Sequence, residues 1–149
     1  SAGRRYRRTE KRTGIVRCFP LDASTLVDNL LESDDLTARL ATDPYGNPAI
    51  YQILAPEAEV FPRLAVFEAG REYTRFADDL PLEEAVTFRI DIYARENVLY
   101  LVNTALHNAM RLLGFRRDAQ VQDDYLPEID IYVKSVTYTI KVPLPFPWQ

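Results

Sequence analysis

The sequence predicts an α+β fold: two layers, with a mostly antiparallel sheet of about four strands and two helices on one face. Three observations predict it. Apolar residues recur at helical spacing over 24–40 and again over 98–113, whereas those over 86–94 and 136–142 alternate one by one. The strand candidates also follow one another through short loops, which favours antiparallel pairing and leaves the helices free to cover one face.

The elements follow in order. Residues 1–21 form a basic N-terminal arm in which Ile15-Val-Arg-Cys-Phe19 reads as a short strand or an extended connector stopped by Pro20. Leu26, Val27, Leu30, Leu31, Leu36 and Leu40 make Ser24–Leu40 helical, with Ser24 as cap; Ser33-Asp34-Asp35 offers a break into two shorter helices with Ser33 capping the second. Asp43-Pro-Tyr-Gly-Asn-Pro48 is dense in turn formers. Ala49–Leu54 and Arg63–Glu68 are strand candidates, with Gly70 a bulge or turn before Glu72–Phe76. Val86, Phe88, Ile90, Ile92 and Ala94 then alternate with Thr87, Arg89, Asp91, Tyr93 and Arg95, so this strand has one buried face and one that meets solvent or a neighbour.

Asn97 is placed to cap a second helix running to about Leu113, and Gly114 to end it in a left-handed conformation. Phe115–Arg117 begins a short strand, Gln120–Glu128 reads as a polar loop, and Ile131–Val142 is a long strand with Val136, Tyr138, Ile140 and Val142 on one face. Lys134 or Thr137 stands opposite the Arg89–Arg95 face. The domain thus spans 22–142. Residues 143–149 form an extended Pro-rich tail in which Pro143, Pro145 and Pro147 separate Leu144, Phe146 and Trp148.

Composition narrows the function. With 149 residues, 47% apolar and 27% charged, the chain has the size and balance of one globular domain. No apolar run approaches a membrane helix and no signal peptide opens the sequence, so the expectation is a protein kept in a cytoplasm. The net charge of −4 hides an asymmetry. Residues 1–17 carry seven basic side chains, among them Arg4, Arg5, Arg7 and Arg8, against Glu10, for +6; the other 132 residues hold 11 basic and 21 acidic groups, for −10. Such an arm serves an acidic partner or nucleic acid, or is an unstructured solubilising end.

Little in the sequence points to catalysis. One cysteine, Cys18, and one histidine, His107, exclude a disulfide, a multi-thiolate site and a polyhistidine site. His107 has no triad context and reads as a surface or helix-packing residue, and Cys18 as a structural thiol. The doublets Asp34-Asp35, Asp78-Asp79, Glu83-Glu84 and Asp123-Asp124 lack the spacing of a calcium loop, and there is no phosphate-binding glycine loop. No enzymatic activity, metal or cofactor is expected.

The run "FPRLAVFEAGREYTRFADDLPLEEAVTFRIDIYAR" (61–95), a helix ending "LLGF" (112–115), the loop "DDYLPEIDIY" and the closing "KSVTYTIKV" resemble the tail-completion or tail-terminator proteins of long-tailed bacteriophages and related prophage particles. The likeness lies in Pro62, in Ala77-Asp78 at a turn before an alternating strand, and in Gly114-Phe115, and it covers about 22–142. It implies a non-enzymatic virion protein, commonly six copies per ring, assembled in the host cytoplasm at the tail-head junction. Such a ring stops growth of the tail tube and docks the head, so the implied partners are further copies of itself, the tail tube protein and a head-tail connector or stopper protein. DNA passes its channel without sequence-specific binding, and no membrane is involved.

The residues carry that reading as follows. Arg89, Asp91, Tyr93 and Arg95 suit an intersubunit face; Arg4, Arg5, Arg7 and Arg8 suit a clamp on an acidic neighbour. Phe146 and Trp148 dock in an adjacent subunit, or else the tail is merely disordered. Asp78 caps the turn through its own backbone, with Asp79 exposed. A connector or stopper ring is the nearest alternative. A nucleic-acid-binding module using Tyr93, Tyr132 and Tyr138 is the alternative from another class.

Overall fold

A computed structural model of the chain describes residues 22–54, 59–120 and 123–144. The arm residues Arg4, Arg5, Arg7, Arg8 and Cys18, and Phe146 and Trp148 of the tail, lie outside the described residues. Asp22 caps the first helix, α1 (Ala23–Leu30), its carboxylate accepting the Thr25 N–H at 2.8 Å. Ser24 therefore sits inside the helix, because the Asp22 carboxylate two residues earlier takes the cap position. The single helix over 24–40 divides: Ser33 accepts the Leu36 N–H at 3.4 Å and starts α2 (Asp34–Ala38), with Asp34 and Asp35 at its positive end.

The third helix, α3 (Leu99–Leu112), has Val98 at its N-cap and no side-chain cap bond, which corrects the Asn97 assignment. The Val98 N–H instead closes a tight turn onto the Glu96 carbonyl at 2.7 Å, leaving Asn97 exposed and outside the helix. At the other end Gly114 takes φ +99°. Its N–H bonds to the Arg111 carbonyl and that of Phe115 to the Met110 carbonyl, both at 3.0 Å. This is the Schellman pairing, closed by two buried side chains, Met110 and Phe115.

The sheet has six strands among the described residues: β1 (Ile50–Gln52), β2 (Arg63–Ala77), β3 (Leu80–Ala94), β4 (Arg116–Gln120), β5 (Asp124–Leu126) and β6 (Ile131–Pro143). Their order is β1-β2-β3-β6-β4, with β5 also on β6, and only β1–β2 is parallel. The sheet is thus mixed and larger than the expected four strands, and among the described residues there are three helices in place of two. The extra strands are short: β1 is three residues, and β5 lies in the segment expected to be a polar loop, its exposed side chains giving no alternation to read.

Gly70 is a bulge, not a turn. The β2–β3 register shifts between Glu68 and Gly70 and then continues, so β2 is one strand of 15 residues. Before it, the turn over 43–48 is organised by the buried Asp43 carboxylate, which accepts the N–H groups of Tyr45 (2.9 Å) and Asn47 (3.0 Å) and the Tyr51 hydroxyl (3.1 Å).

One core joins the layers. Leu64 and Val66 of β2, Val86, Phe88, Ile90 and Ile92 of β3, and Val136, Tyr138, Ile140 and Val142 of β6 meet Leu26, Leu30 and Leu36 of the first two helices and Leu99, Val102, Leu106 and Met110 of α3. All the helices cover the same face, as the alternation in β3 and β6 predicts. Deleting a fully buried leucine here, such as Leu106→Ala, costs about 2–5 kcal/mol.

Candidate subunit interface

The face of the sheet turned away from the helices carries Arg89, Asp91 and Tyr93 as predicted, in a specific arrangement. Asp91 is only 6% exposed. Its carboxylate accepts Ser135 Oγ at 2.6 Å and the Tyr93 hydroxyl at 3.3 Å, and pairs with Arg89 Nε at 3.2 Å. Arg89 in turn lies 4.2 Å over the Phe67 ring. Burial raises the Tyr93 phenol above its ordinary pKa, and the neighbouring Asp91 charge adds to it.

A second stack continues from Tyr93. The Arg63 guanidinium sits 4.8 Å over the Tyr93 ring and 4.5 Å over that of Phe61, with Arg95 4.7 Å from Phe61. Desolvation pulls the Arg63 pKa below its usual value. Arg95 lies just past the end of β3 and pairs with the exposed Glu59 at 2.5 Å. Glu59, Phe61, Pro62, Arg95, Glu96 and Val98 line a cleft of about 270 Å³ at this end of the sheet. Arginines over aromatic rings make a half-dry surface of mixed charge, and both residue types are enriched at protein interfaces.

Of the two residues expected opposite this face, only Thr137 is there: it pairs with Arg89, whereas Lys134 pairs with Ile92 and so shares the helix side. Lys134 is only 9% exposed and donates to Asp123 at 2.5 Å. Tyr138 and Tyr132 also lie on the helix side, Tyr138 fully buried and Tyr132 packed against the core.

The second surface is a ribbon made by the far ends of β2 and β3. From Glu68 to Asp79 every residue but Arg71 is exposed. The Arg71–Val86 pairing places Arg71 on the helix side of the sheet, where the helical layer has ended. There it bonds Glu68 at 2.9 Å and Glu84 at 3.1 Å; the Glu68 bond is the main reason its pKa is raised. Tyr73 and Phe76, 54% and 59% exposed, meet edge to face at 6.3 Å. Asp78 and Asp79 form the tip with φ of 51° and 67°, the backbone of a type I′ turn. Both side chains are exposed.

His107 packs between layers: its ring stacks on Tyr138 at 6.1 Å, and Nδ1 is 3.4 Å from the Tyr138 hydroxyl. Desolvation lowers its pKa, helped by Arg117 and Arg111. Among the described residues no three His, Cys, Asp or Glu side chains gather where they could hold a metal ion, and no helix is long and apolar enough to cross a membrane.

No family model matches the chain, and no curated protein matches it. Among solved structures, a chain from the virion of a native gene transfer agent particle is similar, with a TM-score of 0.47 at 14% identity over 79% of this chain and 92% of that one.

Phe61, Arg63, Phe67, Tyr73 and Phe76 were not singled out by sequence reasoning. Phe67 stands directly across from Arg89 on the next strand, a pairing that leaves no local signal, whereas Arg63 lies two places after Phe61. The Phe61–Arg95 contact spans more than thirty residues and leaves none.

Proposed function

We propose that this chain is a structural protein of a phage-like particle. It forms a closed ring at the head-proximal end of a tail tube, ends polymerisation of the tube and presents the surface on which the head docks. The observation that carries this reading is the shape of the subunit. A ring needs two different, complementary sides on each copy, and this one has a ribbon with exposed Tyr73 and Phe76 projecting at one place and a flat arginine–aromatic face at another. The sequence resemblance to tail-completion proteins points the same way.

In this account the ring is a hexamer of non-catalytic subunits, with the acidic body lining a channel through which DNA slides. The arm clamps an acidic neighbour rather than reading DNA, and Trp148 docks in an adjacent subunit. Removing residues 143–149 and weighing the assemblies by mass photometry tests the last point; an unchanged ring would sink it. For the arm, removing residues 1–12 is expected to weaken joining of particles. Intact joining with loss of DNA retention would instead favour a DNA role.

A connector or stopper ring shares this geometry and differs in its neighbours; a tube gene downstream and a portal or capsid gene upstream would favour the terminator. The placement of the tyrosines speaks against the nucleic-acid module. Base stacking needs free aromatic faces on the open side of the sheet, yet Tyr132 and Tyr138 lie on the helix side, and Tyr93 is covered by Arg63.

A further inference from the structure

The ribbon has an edge as well as two faces. On the outer side of β2, β1 pairs only with Leu64–Val66, and the Ile53 N–H adds one bond to the Val66 carbonyl. Among the described residues no strand pairs with that side from Phe67 to Ala77, a run of eleven residues in which about every second one turns its backbone donor and acceptor outward. An edge of this length invites a further strand. The ribbon is also acidic: Glu68, Glu72, Asp78, Asp79, Glu83 and Glu84 stand against Arg71 and Arg75, a net of −4 over 68–84.

The sequence holds a matching segment. Residues 1–17 carry +6, and directly after most of that charge comes Ile15-Val-Arg-Cys-Phe19, an apolar run of strand composition closed by Pro20. A five-residue strand is about 16 Å long, well within the open edge. We infer that residues 15–19 of one copy add as a strand to the outer edge of β2 in the neighbouring copy, with the arginines before them lying along the ribbon's carboxylates. Backbone pairing supplies the hold and the opposite charges fix direction and partner. The inference rests on the ring reading, for it is the contact by which one subunit reaches the next; Tyr73 and Phe76, in edge-to-face contact, offer an apolar surface to Ile15 and Phe19, which share one face of such a strand.

Cys18 makes the test direct, because it is the chain's one cysteine. A second cysteine is introduced into the full chain at exposed ribbon sites, Ala69→Cys, Glu72→Cys or Thr74→Cys, with Asn108→Cys on the exposed side of α3 as control. Each variant is weighed by mass photometry, oxidised mildly and run on a non-reducing gel. At one or more ribbon sites the expected result is a ladder of covalent oligomers that collapses on reduction and disappears when Cys18→Ser is added; the Asn108→Cys variant stays monomeric on the gel. Rings that form without the ladder would overturn the arm's docking while leaving the ring intact. A disulfide confined within single chains, or equal linkage at Asn108→Cys, would overturn it too. Failure to assemble at any concentration would bring down the ring reading and this contact with it.

Discussion

Ser135 Oγ donates to the Asp91 carboxylate at 2.6 Å across directly paired positions of β3 and β6, on the face of the sheet turned from the helices. Three groups converge on that carboxylate, and it is nearly removed from water although it lies on an uncovered face. The half-dry patch is therefore built before any partner arrives.

Asp91→Ala is expected to lower stability by about 1–3 kcal/mol, because Ser135 and Tyr93 lose their acceptor and Arg89 its counter-charge. Denaturant unfolding of the variant against the parent measures it. Arg89→Ala removes a half-exposed group from Phe67 and Asp91, so its effect on unfolding is smaller and its effect on ring assembly larger. Equal assembly by Arg89→Ala and the parent would remove this face from the interface.

Tyr138 gives the fold a pH dependence at the alkaline end. Burial pushes its phenol up to about 12, from an ordinary 10, despite the opposing charge of Arg117. The folded state holds the proton more tightly, so this contribution is complete below pH 10 and is lost as pH rises through about 12; its full size is about 3 kcal/mol. Tyr138→Phe should flatten the fall in stability between pH 10 and 12, as read by urea melts at closely spaced pH.

His107 acts at the other end. Its pKa is lowered, chiefly by desolvation, so the neutral ring is the form that fits against Tyr138. Stability from this group is present above the ordinary histidine value near 6.5 and declines as pH falls through the depressed one. The variant His107→Gln is expected to lack that acid-side decline in melting temperature.

The turn at Asp78-Asp79 needs two left-handed residues, and the doublet serves through backbone conformation. Asp79→Gly relieves the second position and should stabilise the domain by up to about 1 kcal/mol, whereas Asp79→Val should cost about 1–2 kcal/mol. Gly114→Ala is a parallel case. The added methyl would meet Ile140 at an ordinary 3.5 Å, so the cost of about 1–2 kcal/mol comes from φ +99° alone. Thermal melts of these three variants check both turns.

What was legible in the sequence follows from how each feature is encoded. The alternation of Val86–Ala94 and of Val136–Val142 marks burial on one face, and Gly114 marks a left-handed helix end; these are local signals and they survive into the fold. Asn97 misled because a good capping residue next to a helix competes with the turn geometry, which here placed Val98 at the cap. β5 was invisible since it is only three residues long, two of them exposed, and its strand character comes from pairing with β6. Of the candidate site, Arg89, Asp91 and Tyr93 were readable from strand period, but Phe61, Arg63 and Phe67 join them through long-range contacts that no spacing announces.

The central claim is that this chain closes into a ring on the end of a tube. The most direct measurement is electron microscopy of the full-length chain added to the polymerising tail-tube protein of the same particle. The account predicts a ring seated on one end of each tube and tubes that stop lengthening once capped. Tubes that keep growing, with the chain monomeric in solution or bound along their sides, would contradict it.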